Sequence, residues 1–399
     1  MSAPAYPSPI PMTRRPGCPF DPPEELGHLR AEHPVAPMAY PDGHIGWLVT
    51  RHDLVRSVLA DKRFSHRAEL THSPFPGATL SAKPRPAPPG AFPSMDPPEH
   101  TRYRQLLTGQ FTVRRMRQLT GRIEQITAEH LDAMERHGPP VDLVEAFALP
   151  LPALMICELL GVPTADRADF QHHMAVLGGM GISPEDKVAA FAAVQGFMRD
   201  LAAAKRAQPT DDLFSGLAND SDLTDDELSV IGGILMGAGF DTTANMLALS
   251  AFALMSHPDQ LALLRADAGK AVEELLRRLS IVPGLHRAAL EDVELGGQLI
   301  KAGQTVTVSI PAANHDPHQF ADPDVLDLGS PATGHVAFGH GVHQCLGQQL
   351  ARVELQVGLP ALFERFPTLR LDVPAEEVPL RTDMMIYGVH RLPVTWDVV

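Results

Sequence analysis

Cys345 stands in the run HVAFGHGVHQCLG, residues 335–347. A cysteine just ahead of a helical pattern meets backbone N–H groups and the positive end of the helix dipole. Both favour thiolate, the form that ligates metals. Gly339, Gly341 and Gly347 let the backbone turn tightly and approach a flat ligand closely. Three plainer readings compete. The cysteine could be a small buried hydrophobe, the commonest fate of a lone one. It could join His335, His340 and His343 in a zinc site, although their spacing matches none of the usual zinc patterns. Or the segment could be a simple glycine-rich turn.

A second constellation, AGFDTT at 238–243, lies midway along a long apolar stretch. An Asp and two Thr in a buried helix are costly unless paired or functional. The Thr242 hydroxyl can reach back to the Ala238 carbonyl, four residues earlier, and bend the helix. Gly237 and Gly239 remove side chains at that level and open a groove. A kinked helix with satisfied polar groups is the alternative. Glu274 and Arg277 are spaced i, i+3 on another helix, close enough to pair. Most such pairs are solvated and contribute little. His100 and Arg104 share a helix face at i, i+4, where a solvated surface is the plain reading.

Phe338, Gly341, Cys345 and Gly347 match the haem-binding loop of the cytochrome P450 superfamily, and the chain resembles its soluble bacterial, ferredoxin-dependent members. The resemblance implies a mainly α fold with small β-sheets. Haem b would sit between the long central helix and the cysteine-loop helix, with O2 as cosubstrate of a monooxygenase. Cys345 becomes the axial ligand, its thiolate favouring O–O cleavage, and Phe338 packs beside it. Asp241 and Thr242 match the family's acid–alcohol pair. Splitting O2 needs two protons; Thr242 would steady the bound oxygen and its waters while Asp241 relays protons from solvent. Gly239 and Gly347 leave room for the cofactor. Glu274 and Arg277 become a buried lock on the cysteine loop, with His335 nominated as third partner. His100, Arg104, Arg287 and His343 match the donors to the haem propionates. His315, Leu290 and Ser330 depart from the residues that relatives usually carry.

The resemblance also implies a substrate pocket. It would be walled by the loop at 66–95 and a hinge at Gly178–Gly181. Gly233, Leu235 and Met236 on the long helix, Ile281 to Leu285 (with Val282) and Met384 to Ile386 (with Met385) would complete it. These are mostly apolar and suit a bulky lipophilic substrate. Wording like that of actinobacterial macrolide- and polyketide-tailoring relatives points to hydroxylation or epoxidation in antibiotic biosynthesis. Terpenoid, peptide or xenobiotic hydroxylases are the alternatives within the class. A peroxide-driven peroxygenase fits less well, because such enzymes generally lack the acid–alcohol pair; a haem sensor would need a signalling partner. Three scattered cysteines cannot hold an iron–sulfur cluster, so electrons must come from a ferredoxin and its reductase. Arg102, Arg104, Arg114, Arg115, Arg117 and Arg352 are expected to form a basic face for that acidic donor.

These residues need elements to hold them. Hydrophobic content of 44% and charged content of 20% are ordinary for a globular chain. With a formal charge of −15, nucleic acid is excluded as the main partner. Cys18, Cys157 and Cys345 are too few and too far apart for a disulfide framework, which fits a reducing, cytoplasmic setting. No apolar run at the N-terminus suits a signal peptide, and the apolar stretch 231–255 carries Asp241 at its centre, which argues for a buried soluble helix over a membrane span. Proline is dense before Glu99, so loops and a short strand (HIGWLVT) with a short helix (RHDLVRSVLAD) are expected there, behind a flexible tail over 1–20. Helical spacing follows from Pro98 to about Gln208. A capping box at Thr224–Glu227 opens the longest helix, ending near His257-Pro258. A helix at 269–280, a hairpin VELGGQLI, a strand QTVTVSI and a final helix from Cys345 to Phe366 complete one domain, 1–399, expected to be monomeric.

Overall fold

Thr224 starts the long helix as the sequence predicts. Its hydroxyl accepts the Glu227 N–H, and the Glu227 carboxylate accepts the Thr224 N–H at 2.8 Å. In the computed structural model this helix runs Asp225–Ser256, about 48 Å at 1.5 Å per residue. The structure describes residues 8–75, 85–110, 113–178 and 182–398, without the side chains of 110, 113–118, 164, 170–171, 174–175, 178, 184 and 220. From Thr243 to Leu254 every side chain of the long helix is buried, because three helices pack around it. These are Pro150–Leu159, Pro184–Ala207 and Gln348–Arg365. Among the described residues, no helix is long and apolar enough to cross a membrane.

The expected short elements form, with shifted ends. Ile45–Val49 is the strand of HIGWLVT, His52–Ala60 the short helix, and Val293–Leu295 with Gln298–Ile300 the hairpin. Thr305–Ser309 is the strand of QTVTVSI and lies centrally in a five-stranded sheet. It pairs parallel to Ile45–Val49 and antiparallel to Gly284–Ala289; Val35–Ala39 and Phe64–Ser65 are the edges. The strand at Gly284–Ala289 was not evident from the sequence, since its HRA core lacks a clean apolar alternation. A smaller sheet joins Val141–Asp142, Pro393–Thr395 and Arg370–Leu371, so the helical run after Pro98 is interrupted.

Two expectations need correction here. Residues 8–20 are docked, not a loose tail. Ser8 bridges Met38, Ile10 is buried with Met38 and Leu48, and Arg14 stacks on Tyr387 at 3.6 Å. The final helix starts at Gln348, not Cys345, with Gly347 as its N-cap. The cysteine therefore sits one turn ahead of the helix.

Candidate active site

The Cys345 loop is built from backbone turns. Gly339 and Gly341 have φ of 72° and 76°, which only glycine adopts cheaply. At Gly341 the chain also runs against the short helix, where an added Cβ would stand 2.5 Å from the Leu59 carbonyl oxygen. The Cys345 N–H donates to the Phe338 carbonyl at 2.9 Å. Burial pushes the Cys345 thiol up, while N–H groups of Gly347 and Gln348, Arg104 and Arg352 pull it back toward thiolate. Its side chain is nevertheless open to a cavity of about 340 Å³ that also reaches Thr242 on the long helix. Arg352 caps the Phe338 ring at 4.6 Å. Among the described residues no three His, Cys, Asp or Glu form a group that could hold a metal ion; of the zinc candidates, His335 bonds Glu273 and His343 packs between His66 and His100. Cys18 and Cys157 are free thiols.

One ionic tie holds the segment ahead of this loop and a second reaches the loop itself. Glu274 and Arg277 form a buried pair at 2.7 Å, and Arg277 also donates to the carbonyls of Asn314 and Pro323. His335 is not their third partner. It bonds Glu273 at 3.0 Å, and Glu273 also takes Arg352. Glu273 and Glu274 point to different sides of one helix, so a one-residue difference moves the partner to a separate tie. Burial resists ionisation of Glu273, but hydrogen bonds from His335 and Arg352 outweigh it and hold the carboxyl down to about 2. His315 is buried, between the Pro311 carbonyl and Arg278.

At the other edge of the cavity His343 stacks between His66 and His100, with ring centroids 4.3 and 4.0 Å away. Burial, then His100, Arg287 and Arg104, press His343 down to about 3. Burial likewise lowers Arg287 to about 10 and, to a lesser degree, Arg104. Both ring nitrogens of His100 are buried without any partner. Orphaned donors beside buried guanidiniums call for an anion. His100, Arg104 and His343 face the cavity; Arg287 is fully buried and acts on His66 and His343.

Thr242 donates to the Ala238 carbonyl at 2.7 Å and lines the cavity with Gly239. Asp241 is not on that wall. It pairs with Arg381 at 2.7 Å and accepts from Asn245. Beneath the helix Glu354, wholly buried on the cavity wall, is pushed up to about 8 by burial despite a bond from Thr243. Sequence reasoning missed His66, Glu354 and Arg381. Glu354 was discoverable as an acid on the inner face of an apolar helix; the other two carried no local signal.

The apolar end of the cavity corrects the expected pocket. Val282 and Leu285 line it, but Gly233, Met236, Met385 and Ile386 do not. On a helix, 100° separates successive residues, so the long helix lines the cavity with one stripe, from Ile234 and Leu235 through Ala238, Gly239, Thr242 and Thr243 to Met246. Met236 falls opposite and is buried in the core; Gly233 faces Gln195. Met385 is 46% exposed on the outer surface, and Ile386 packs on the core. His66, Phe92 and Pro93 line the cavity from the 66–95 segment; 76–84 and the 179–181 hinge lie outside the described residues. The basic face does not form from Arg102, Arg104 and Arg352. These engage Glu227 with Asp222, the cavity, and Glu273 respectively, while the side chains of Arg114, Arg115 and Arg117 lie outside the described residues.

A helical frame with a cysteine loop and an alcohol-bearing long helix across one cavity defines the haem-thiolate oxygenase class. The sequence model of cytochrome P450 matches residues 268–395. Cytochrome P450 105C1 of Streptomyces sp is 53% identical over 383 residues, 94% of this chain and 96% of that protein. Pentalenic acid synthase of Streptomyces avermitilis is 43% identical over 387 residues, 95% of each. The crystal structure of CYP105P1 in complex with filipin I superposes with a TM-score of 0.91 at 42% identity, over 98% of this chain and 99% of that one. The chain belongs to the cytochrome P450 family and is a monooxygenase of the CYP105 type. The family uses haem with a cysteine thiolate ligand and O2.

Proposed function

We propose that this P450 hydroxylates or epoxidises a bulky lipophilic natural product, a macrolide or another polyketide of secondary metabolism. The observation that carries the reading is the cavity: the Cys345 sulfur opens into it, and beyond Thr242 its wall is apolar from Phe92 to Leu285. The relative crystallised with filipin I supports a large ligand.

Cys345 would hold the haem iron, with Phe338 and Gly347 at its flanks. His100, Arg104 and His343 would hold the propionates, with Arg287 behind them; the partnerless nitrogens of His100 fit that anion. Bound haem supplies O2 activation and oxygen transfer. Around it the chain's groups have separate tasks. The Thr242 hydroxyl stands on the cavity wall, where it can hold water and pass a proton. Asp241, 28% exposed, takes protons from solvent to that hydroxyl. Apolar groups such as Leu235, Val282 and Leu285 orient substrate and exclude water. Electrons would come from a ferredoxin and its reductase. We place the protein in the cytoplasm as a monomer, residues 1–399 working as one domain.

Holoenzyme with a surrogate ferredoxin and reductase should be screened against macrolides, linear polyketides, terpenoids and peptides under isotopically labelled dioxygen. A polyketide product that gains one labelled oxygen bears the reading out; turnover confined to another class overturns it.

A further inference from the structure

Asp241 and Thr242 are neighbours, yet only Thr242 lines the cavity. The carboxylate is held elsewhere by a forked contact. Arg381 Nη1 donates to Oδ1 at 2.7 Å and Nη2 to Oδ2 at 3.3 Å. Asn245 Nδ2 adds a bond to Oδ1 at 3.1 Å and another to the Asp241 carbonyl at 2.7 Å. Arg381 is only 10% exposed, so the pair is more shielded than a surface one.

Arg381 comes from a turned segment, 380–389, near the end of the chain. Its N–H donates to the Gly388 carbonyl at 2.9 Å, and Leu380 pairs with Val389. Gly388 presses on the long helix so closely that an added Cβ would stand 2.1 Å from Asn245 Oδ1. In the same segment the Tyr387 N–H donates to the Ile281 carbonyl at 2.9 Å, and Ile281 is part of the cavity wall. One braced piece of backbone therefore touches the substrate wall at one point and the carboxylate of Asp241 at another.

We propose that Arg381 is the positioning residue for Asp241, and that segment 380–389 ties the placement of that carboxylate to the cavity wall at Ile281. The proposal rests on Asp241 being the proton relay. Arg381 touches neither substrate nor cofactor; it acts by where it holds the acid.

The test uses holoenzymes carrying Asp241→Asn, Arg381→Gln, Arg381→Lys and the double variant Asp241→Asn/Arg381→Gln. Oxygen consumption is followed with saturating surrogate ferredoxin in H2O and D2O, with filipin I as the probe and again without it. Arg381→Gln should slow consumption roughly tenfold, less than the ~100-fold or more that positioned proton transfer itself contributes because the acid is still present, and enlarge the solvent isotope effect. Arg381→Lys should restore most of the rate, and the double variant should be no slower than Asp241→Asn. Thermal unfolding supplies a readout independent of turnover. If the two side chains act as a pair, the double variant unfolds at the temperature of the worse single variant. Summed losses of unfolding temperature would overturn the proposal, as would Arg381→Gln at the parent rate while Asp241→Asn is slow. Asp241→Asn at the parent rate would instead overturn the relay reading itself.

Discussion

The N–H of Cys345 donates to the carbonyl of Phe338 at 2.9 Å, closing the loop that carries the sulfur onto itself. That closure depends on Gly341, whose φ of 76° and contact with Leu59 leave no room for a side chain. Gly341→Ala should cost about 1–3 kcal/mol from backbone strain, with the clash in addition. Denaturant unfolding and haem retention after gel filtration check this; an unchanged midpoint with full haem would contradict it.

Glu227 ties the start of the long helix to the helix Glu99–Gln110 through Tyr103 at 2.6 Å and Arg102 at 2.8 Å. Burial opposes its ionisation, but Tyr103, Thr224 and Arg102 prevail and hold the carboxyl at about 2. An unfolded glutamate titrates near about 4.3. The folded value is the lower, so its stabilisation is fully present above the unfolded value and fades as pH falls toward about 2. Glu227→Gln should therefore lose about 1.5–3 kcal/mol at neutral pH and show a flatter acid limb of stability. Parallel acid limbs for parent and variant would refute this assignment.

Thr242 spends its hydroxyl on its own helix, at Ala238, and holds no other element in place. Thr242→Val should leave the unfolding temperature unchanged or slightly raised, since such back-bonding weakens a helix. Product formed per NADH consumed should fall, roughly tenfold or more. A variant that unfolds early would show the hydroxyl to be structural.

Val282 and Met236 separate pocket from core. Val282→Phe fills cavity space and should weaken binding of large ligands, read from the spin-state shift, with little loss of stability. Met236→Ala empties a fully buried site and should cost about 2–5 kcal/mol while leaving ligand preference intact. The reverse pattern would mean that the long helix is rotated from the orientation described.

Much of this site was legible because its signals are local. The capping box at Thr224, the glycines around Cys345 and the Glu274–Arg277 spacing each state a backbone or pairing requirement within a few residues. What stayed hidden was set by tertiary contact. His335 chooses Glu273 over Glu274, Arg381 crosses from the chain's end to Asp241, and His66 stacks on His343, through pairings far apart in sequence. The expected pocket failed at Gly233 and Met236 because an apolar run states that a helix is buried, not which stripe faces the ligand.

Everything turns on the sulfur of Cys345 as the iron's ligand. The absorption of the reduced, carbon monoxide-bound holoenzyme reports that bond directly, compared with Cys345→His. The parent should show the long-wavelength Soret band of thiolate ligation, and the variant a shorter-wavelength band of imidazole type. A parent band of the imidazole type would contradict the account.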